Sequence, residues 1–586
     1  MVYLPKRWVI KTPDLNLVDD IVNNLNISRN VAKVIVNRGI NSVKEAIDFY
    51  NPNLFHLQEP FLLPDMYKAV DRLRKAIDNN ERILIYGDRD VDGVTATSIV
   101  DYTLKSLGNV PLYFIPSEEG YGLHKSIIEQ HIGKIDLILT VDCGITASEE
   151  VKYAKENGID VIITDHHEIP SNFNYIPDAI AVINPKRQDC KYEFKELAGC
   201  TVAFKLMQGL MLSYEENYNN QNMRQVWSRR MEFFLKDHLD LLTLGIIGDS
   251  MPLISENRTI VKYGLQLFKS SRKPGIKLLV EHLFRYKDTI MTKDISINII
   301  PILNACGRLE QGKLAVEFLT TDNFIQAEKL LNKILQINDD RRILQSTYMD
   351  TIMQIINEQC NIEADKIFII TMKEIEQGIS GILATQIAHQ YHRLVIILNI
   401  IGTETIGTCR SIENFNIYKI IEKCSDILIK YGGHKQAAGF TLKTEYIDEF
   451  KKRVNEIINK ELSIEELIPT IEIDGELKPE EVNIELVKEL AVLEPYGNLN
   501  PYPIFMLRNI KIEEFSKQSQ TSKNIKFKLK LNNNFITAVG LGLGYGPEQG
   551  LMRIPKYADL VIQMQINTWQ NKDYLQLFII DLKPTV

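Results

Sequence analysis

The sequence predicts an α/β protein with a parallel-sheet domain, a long connecting helix, a second, smaller α/β domain and a C-terminal β-barrel. Short runs rich in Val, Ile and Leu alternate with helical segments between residues 81 and 184, and again between 367 and 398. Such near-continuous apolar strands are typical of parallel sheets covered on both faces. A polar, helix-favouring span covers residues 327–354. Residues 465–586 instead contain short alternating strands separated by turns, as in small barrels.

Four apolar runs define the first sheet, and three of them lead into an acidic residue. The runs are Arg82–Tyr86 before Asp88, Asp136–Val141 before Asp142, Asp160–Thr164 before Asp165, and Ala179–Ile183 before Asn184. In parallel sheets, ligands bind beyond the carboxyl ends of the strands. Three of the predicted strands therefore carry an acid to the edge where a ligand would bind.

These patterns divide the chain into five parts. We expect an N-terminal cap (1–55), the first α/β domain (56–325), the connecting helix (326–361), the second α/β domain (362–460) and the barrel (465–586).

Composition excludes several classes of protein. The 586 residues are 45% apolar and 25% charged, which is ordinary for a globular protein and unlike a disordered or fibrous one. No run approaches the roughly 18 apolar residues that a membrane span requires, and the N-terminus lacks the layout of a signal peptide. Seven cysteines without a CxxC pair argue against a disulfide framework and a zinc ribbon. We therefore expect a cytoplasmic, multidomain protein.

Charge is unevenly distributed along the chain. The net charge of −8 counts slightly against a nucleic-acid binder, but residues 508–531 contain seven Lys or Arg and two Glu. Lys526, Lys528 and Lys530 alternate with apolar residues, so one face of this strand is basic. Such a surface can track phosphates of a nucleic acid. The alternative is a solvent-exposed edge strand protected by lysines.

Three acids, Asp88, Asp90 and Asp92, alternate directly after the first predicted strand. Their mutual repulsion is costly unless a cation neutralises it, and clustered carboxylates suit Mg²⁺ or Mn²⁺. The alternatives are an acidic surface turn and half of a calcium loop. A calcium-binding EF-hand needs Glu at loop position 12, where this chain has Ile99.

Further acids and two histidines are expected at the same edge of the sheet. Asp142 and the run Asp165-His166-His167 follow predicted strands, and Asp249 follows an apolar helical stretch. Carboxylates with one or two imidazoles form two-metal sites that activate water and stabilise an in-line leaving oxygen. The pattern predicts hydrolysis of a phosphoester or phosphoanhydride.

In this order, DxDxDG, VDCG, DHH and the later Asp249 resemble the four motifs of the DHH phosphoesterase family. Five further segments resemble its RecJ branch, the bacterial 5′→3′ exonucleases specific for single-stranded DNA. They are GYGL (120–123), NPKRxDCxYxFKELAGCTVAFKL (184–206), PxLNACGR (301–308), GTCRS (407–411) and GGHKQAAGF (432–440). The resemblance implies that the barrel is an oligonucleotide-binding (OB) fold.

The resemblance implies a role for the acids and histidines expected at the carboxyl ends of the predicted strands. Two Mn²⁺ or Mg²⁺ ions would be held by Asp90, Asp142, His166 and Asp249, with Asp88 and Asp92 completing or supporting the ligand set. Asp142 and His166 would thereby be catalytic. His167 would polarise the scissile phosphate or donate a proton.

Substrate binding is also implied by the resemblance. Arg308, after a predicted turn at residues 305–307, would contact the DNA backbone or the scissile phosphate, and Arg410 with Ser411 would anchor the 5′-terminal phosphate. The planar guanidinium suits phosphate oxygens. His434 would add a phosphate contact, or alternatively cap a tight turn. The lysines at 526, 528 and 530 would extend the path of the strand.

The implied activity is 5′→3′ degradation of single-stranded DNA to 5′-mononucleotides by two-metal hydrolysis, in DNA recombination and repair. The implied partners are single-stranded DNA, single-strand-binding protein and a RecQ-type helicase. The enzyme is expected to be a monomer that does not associate with a membrane. One alternative is a DHH phosphodiesterase for short oligonucleotides or cyclic dinucleotides. The other is a non-catalytic replication scaffold.

Overall fold

The computed structural model describes most of the chain, in two compact units. The described residues are 6–117, 120, 122–169, 176–215, 228–413, 415–517, 524–532, 534–543, 554–569 and 572–585. The central unit comprises residues 47–341 and 493–501, and the flanking unit comprises residues 1–46, 342–492 and 502–586.

The strands of the described residues, in chain order, are β1 (Arg7–Ile10), β2 (Ile83–Tyr86), β3 (Leu112–Phe114), β4 (Leu137–Val141), β5 (Asp160–Thr164), β6 (Ala181–Ile183), β7 (Ile367–Lys373), β8 (Leu394–Ile401), β9 (Glu404–Arg410), β10 (Leu428–Gly433), β11 (Ala437–Lys443), β12 (Thr470–Ile473), β13 (Gly475–Glu476), β14 (Phe505–Lys517), β15 (Ile525–Leu531), β16 (Asn534–Gly540), β17 (Tyr557–Trp569) and β18 (Lys572–Pro584).

The α-helices of the same residues are α1 (Leu15–Leu25), α2 (Arg29–Asn37), α3 (Val43–Tyr50), α4 (Met66–Asp78), α5 (Val91–Ser106), α6 (Lys125–His131), α7 (Ser148–Glu156), α8 (Gly199–Ser213), α9 (Arg229–Gly248), α10 (Ser255–Leu267), α11 (Pro274–Phe284), α12 (Thr292–Asp294), α13 (Ile300–Arg308), α14 (Gly312–Thr320), α15 (Phe324–Gln359), α16 (Gln377–Tyr391), α17 (Ile417–Glu422), α18 (Ile447–Glu461) and α19 (Ile484–Ala491).

The central unit is built around a five-stranded parallel sheet with the order β3-β2-β4-β5-β6. The four predicted apolar runs form β2, β4, β5 and β6, which confirms the parallel sheet. Sequence reasoning missed β3, because it has three residues and its side chains are at least partly exposed. Helices α5 and α8 are buried along most of their lengths. Asp90 and Asp92, at the start of α5, are therefore attached to a well-packed part of the core.

The predicted turn at residues 305–307 is wrong, because these residues lie inside α13. Pro301 lies in the first turn of α13, directly after the π-helix Ile295–Ile299, so the chain is already helical before the proline. A Cβ on Gly307 would come within 2.0 Å of the Arg89 carbonyl oxygen. Gly307 therefore does not form a turn. It allows α13 to pack closely on the loop of residues 87–90 after β2, which we call the acidic loop.

The flanking unit contains a second α/β sheet with the order β10-β11-β9-β8-β7. β7 and β8 are parallel and are connected by α16, whereas the other pairs are antiparallel. Helix α15 runs without interruption from Phe324 to Gln359, and its residues from 342 onward belong to this unit. The long helix and the second α/β sheet agree with the predicted fold class.

A closed five-stranded barrel follows, in the order β14-β15-β16-β18-β17, and the β14–β17 pairing closes it. In β15, lysines on the outside alternate with buried apolar residues. Because β15 pairs with both β14 and β16, the alternative of a lysine-protected edge strand is wrong. Residues 1–46 belong to the same unit, in which β1 pairs in parallel with β12.

Within the described residues, no helix is both long enough and apolar enough to span a membrane. All seven cysteines are free thiols.

Candidate metal centre and substrate-binding residues

The acidic loop after β2 is shaped by the start of α5. Asp90 is the N-cap of this helix, and its Oδ1 accepts hydrogen bonds from the backbone N–H groups of Asp92 and Gly93, at 2.9 and 3.2 Å. A Cβ on Gly93 would come within 2.5 Å of the Asp88 carbonyl oxygen. Glycine at this position therefore lets the loop fold back on the helix, which brings alternate acids together.

Asp92 is held by a second helix. Its two carboxylate oxygens accept hydrogen bonds from the backbone N–H groups of Gly199 and Cys200, at 2.6 and 2.9 Å, at the start of α8. The positive end of the helix dipole stabilises the negative charge there. Gly199 is also required by Asp142, because a Cβ on it would lie 2.3 Å from Asp142 Oδ1.

Asp142 follows β4 directly and adopts a positive φ of 60°, which Asp tolerates better than most residues. Its carboxylate is 2% exposed, and Oδ1 lies 3.2 Å from Nε2 of His166. The turn therefore directs this buried acid towards the histidine that follows β5.

Asp165 orients the two histidines instead of joining the acidic cluster. One of its oxygens accepts from both histidine backbone N–H groups and, at 2.7 Å, from Nδ1 of His167. The other accepts from the backbone N–H of Ile145. Sequence reasoning treated this acid as part of the DHH motif without assigning it a role. The structure shows an acid that fixes the His167 ring.

Asp249 enters from the C-terminus of α9, where it is the C-cap residue. Its Oδ2 lies 3.6 Å from Nε2 of His166, and its side chain is 33% exposed. It is therefore the acid of this cluster that opens most towards solvent.

The structure brings every predicted metal-binding side chain into one cluster. Three overlapping groups have ligand atoms within 4.8 Å of one another: Asp88, Asp90 and Asp142; Asp92, His166 and Asp249; and Asp142, His166 and His167. Asp142 and His166 each belong to two groups. The cluster can therefore present two adjoining ligand sets.

Burial and mutual repulsion make these acids hard to ionise without a cation. Burial, followed by the charge of Asp90, raises the pKa of Asp88 to about 7. Burial and the charges of Asp92 and Asp90 raise the pKa of Asp249 to about 8. Burial and neighbouring acids also raise the pKa values of Asp90 and Asp142.

The pKa values of His166 and His167 are shifted in opposite directions. Burial lowers the pKa of His166, so its ring is neutral and suited to a metal. Burial would also lower the pKa of His167, but the hydrogen bond and charge of Asp165 outweigh it and raise the pKa to about 9. His167 therefore carries a proton at neutral pH.

The donor set fits divalent metal ions. Asp88 Oδ1 and Asp142 Oδ1 are buried and accept no hydrogen bond from the described residues. Hard carboxylate oxygens with one neutral imidazole suit Mg²⁺ and Mn²⁺, and a cation would relieve the repulsion that raises the pKa values.

Helix α13 connects the acidic loop with Arg308. Asn304 Oδ1 accepts a 3.0 Å hydrogen bond from the backbone N–H of Val91, between two of the acids. Arg308 lies one turn later on the same helix and is partly buried. Sequence reasoning missed Asn304, because the motif PxLNACGR gave no sign of where its amide would point.

Arg410, Ser411 and His434 lie at or next to the ends of neighbouring strands in the second α/β sheet. Arg410 ends β9 opposite Ala437, and the backbone N–H of Ser411 donates to the Gln436 carbonyl. His434 is exposed in the tight connection between β10 and β11. Nε and Nη1 of Arg410 donate to Thr385 Oγ1 and the Cys409 carbonyl, which orients the guanidinium.

Lys526, Lys528 and Lys530 project from the outside of the barrel, beside an aromatic ring that sequence reasoning missed. Phe535 of β16 is 58% exposed, and the Lys528 ammonium lies 5.0 Å from its ring centroid. Phe535 is also the direct cross-strand partner of Lys530. The surface thus combines three cations with an exposed aromatic ring.

Three family models match this chain: "DHH family, N-terminal domain" at residues 82–246, "DHHA1 domain" at 364–460 and "RecJ OB domain" at 473–581. The chain is 34% identical to the single-stranded-DNA-specific exonuclease RecJ of Bacillus subtilis (strain 168), over 98% of this chain and 70% of that protein. It is 32% identical to the Escherichia coli (strain K12) exonuclease of the same name, over 76% of this chain and 78% of that one.

A crystal structure of RecJ from Thermus thermophilus in complex with Mn²⁺ matches 99% of this chain and 80% of that one. Its TM-score is 0.82 at 26% sequence identity. The three domain types, the identity over 98% of this chain and the shared fold agree with one another. They show that this chain belongs to the RecJ family.

Proposed function

We propose that this protein is a single-strand-specific 5′→3′ exodeoxyribonuclease that releases 5′-mononucleotides by two-metal-ion hydrolysis, in DNA recombination and repair. One observation supports this most directly: seven acids and histidines from four segments of the chain form overlapping ligand groups at the carboxyl edge of the sheet. The Bacillus subtilis relative, which is named for this activity, matches almost the whole chain.

Asp88, Asp90, Asp92, Asp142, His166 and Asp249 would hold two Mn²⁺ or Mg²⁺ ions. The bound ions supply charge neutralisation at the scissile phosphate and lower the pKa of water. Asp142 and His166 are suited to serve both ions, because each belongs to two of the ligand groups.

His167 is the proposed proton donor. The 2.7 Å hydrogen bond to Asp165 holds Nδ1 and keeps the ring protonated. A cationic imidazole can stabilise charge on the phosphate or protonate the departing 3′ oxygen from Nε2.

Four residues would bind the end of the DNA. Arg410 and Ser411 would anchor the 5′-terminal phosphate, with His434 beside them, and Arg308 would contact the backbone or the scissile phosphate. Guanidinium groups bind phosphate oxygens in bidentate fashion. Lys526, Lys528 and Lys530 would continue the path of the strand.

We further propose the five-part division of the chain given by its sequence: cap, DHH domain, connecting helix, DHHA1 domain and OB barrel. The family models at residues 82–246, 364–460 and 473–581 support it. A cytoplasmic monomer that works with single-strand-binding protein and a RecQ-type helicase is the corresponding proposal for the cell.

The alternative substrates, short oligonucleotides or cyclic dinucleotides, are less favoured, because the chain carries a barrel with a basic outer strand suited to long DNA. A non-catalytic scaffold is also less favoured. Such a protein has no need of six metal-binding side chains.

The proposal is tested by digesting a long single strand labelled at its 5′ or 3′ end, with Mn²⁺ or Mg²⁺. We expect labelled mononucleotide first from the 5′ end and little cleavage of a matching duplex. Asp142→Asn should lose more than about 100-fold in rate, because removing a ligand costs more than the roughly 10- to 100-fold loss seen when a residue that only orients a ligand is changed. Cleavage confined to oligomers of a few nucleotides would favour the small-substrate enzyme. DNA binding without cleavage would indicate the scaffold.

A further inference from the structure

The segment Leu493–Pro501, which we call the strap, belongs to the central unit although the residues on both sides of it belong to the flanking unit. It is thus separated in sequence from the rest of the central unit, which ends at Arg341. The contacts that hold it there lie beside the loop that follows Asp249.

The strap is shaped by its own hydrogen bonds. Nδ2 of the fully buried Asn500 donates to the carbonyls of Leu493 and Pro495, at 2.9 and 2.8 Å. Gly497 and Asn500 exchange two backbone hydrogen bonds. Asn498 therefore lies in a loop whose conformation is restrained by hydrogen bonds within the strap.

Arg258 of α10 fastens the first half of the strap. Its side chain is almost fully buried, and its guanidinium lies over the ring of Phe49. It donates hydrogen bonds to four carbonyls, those of Phe49, Leu493, Glu494 and Pro495. A buried guanidinium with this many partners cannot move without leaving donors unpaired.

Asn498 joins the strap to the loop after Asp249 by two hydrogen bonds. Its carbonyl accepts from the backbone N–H of Leu253, and its Nδ2 donates to the carbonyl of Ser250, both at 2.9 Å. Ser250 has a φ of +54°, a left-handed conformation that a residue other than glycine keeps only where its surroundings hold it.

We propose that the strap is a positioning element for Asp249 and that Asn498 is its positioning residue. By holding the Ser250 carbonyl, Asn498 stabilises the left-handed turn directly after Asp249. This turn keeps the Asp249 carboxylate beside Asp92 and His166, in one of the ligand groups. This role rests on the proposed metal centre. If it holds, metal affinity depends on Asn498, a residue far from Asp249 in the sequence.

The test measures Mn²⁺ binding directly, by electron paramagnetic resonance of the free ion, on metal-stripped full-length protein. Asn498→Ala removes the amide and keeps the backbone acceptor, whereas Asn498→Asp sets a carboxylate oxygen against the Ser250 carbonyl. We expect the Mn²⁺ dissociation constant to rise about two- to tenfold in the Ala variant, as for loss of one hydrogen bond, and further in the Asp variant.

Asn109→Ala is the matched control. Asn109 also donates from Nδ2 to a backbone carbonyl, that of Glu81, but near the amino end of β2, at the opposite edge of the sheet. We expect unchanged Mn²⁺ affinity in this variant. Adding Ser250→Gly to Asn498→Ala should restore much of the affinity, because glycine adopts a positive φ without strain. General destabilisation would not be rescued in this way.

The outcomes separate the strap from the metal centre. Unchanged Mn²⁺ affinity in both Asn498 variants, or an equal loss in Asn109→Ala, would overturn the strap's role and leave the metal centre intact. A wild-type protein that binds no Mn²⁺ would overturn both.

Discussion

Asp92 and Asp142 are both buried acids of one cluster, yet their surroundings differ. Both oxygens of Asp92 accept backbone hydrogen bonds from the start of α8. Asp142 Oδ1 accepts none from the described residues, and burial with neighbouring acids raises its pKa. Because Asp92 is hydrogen-bonded and Asp142 Oδ1 is not, we expect the two acids to affect the stability of the metal-free protein differently.

We predict that Asp92→Asn lowers the melting temperature of the metal-free protein, whereas Asp142→Asn leaves it unchanged or raises it. An amide at residue 92 must turn its NH₂ group towards a backbone N–H, which costs about 1–3 kcal/mol. An amide at residue 142 cannot ionise, so it avoids the burial cost and the repulsion by neighbouring acids that raise the pKa of Asp142. Thermal unfolding in the presence of EDTA measures the difference, and equal melting temperatures would contradict it.

The raised pKa values predict how pH and metal act together. The folded, metal-free protein keeps protons on Asp88 and Asp249 up to about pH 7 and 8, while in the unfolded chain these groups titrate near 3.8. Because the folded state binds more protons, this site lowers stability as pH rises through that window. Metal replaces the protons and reverses the loss.

At one fixed Mn²⁺ concentration, we therefore expect the ion to raise the melting temperature more at pH 8 than at pH 6. If that concentration is 100 times the dissociation constant at pH 8, the gain there is about 2.7 kcal/mol. Differential scanning calorimetry with and without Mn²⁺ checks this. The same gain at both pH values would show that these acids do not exchange protons for metal.

At the scale of elements, α13 connects the acidic loop with Arg308, the arginine that we propose to contact DNA. We predict that Asn304→Ala lowers kcat by about tenfold, within the 10- to 100-fold range for residues that orient metal ligands. The reason is that the Val91 N–H loses its acceptor and the acids on either side of it become less fixed. Single-turnover digestion measures the rate. Asn109→Ala should have no effect, and a change in KM for DNA with normal kcat would refute the positioning role.

The outer face of β15 provides an electrostatic prediction. Replacing Lys526, Lys528 and Lys530 with Gln should make the slope of log affinity for single-stranded DNA against log salt shallower by about 2, because each lost phosphate contact contributes about 0.7. Fluorescence anisotropy at several salt concentrations gives this slope. The control replaces three other exposed lysines, Lys44, Lys452 and Lys460. An equal change in slope would mean that net charge, rather than this face, binds DNA.

Phe535 should contribute through its ring. Phe535→Leu keeps an apolar side chain beside Lys528 but removes the stacking surface, which is worth about 1–3 kcal/mol per base. We expect weaker DNA binding with an unchanged salt slope. Equal affinity of the two proteins would exclude base stacking at this position.

For the whole molecule, local sequence patterns predicted the order of strands and helices, but they did not predict the contacts between distant residues. The apolar runs gave the parallel sheet, and alternating lysines gave an outward face of a barrel strand, because both depend on local periodicity. The turn expected at residues 305–307 is absent, because these residues continue α13 and Gly307 allows the helix to pack closely against Arg89.

The candidate site shows the same division. Order along the chain and predicted strand ends were enough to name the acids and histidines that the structure brings together. Asn304 and the strap were missed, because each acts through a partner that is distant in sequence, Val91 or Ser250, and no local spacing predicts such a pairing. Phe535 is close to Lys528 in sequence, but the contact between them depends on the register of β15 against β16.

The proposed activity depends on two divalent ions bound at the carboxyl edge of the sheet. Anomalous diffraction from crystals grown with Mn²⁺ locates such ions directly. We predict two peaks, one among Asp88, Asp90 and Asp142 and the other among Asp92, His166 and Asp249. Peaks elsewhere, or none at saturating Mn²⁺, would show that this edge of the sheet is not a two-metal centre.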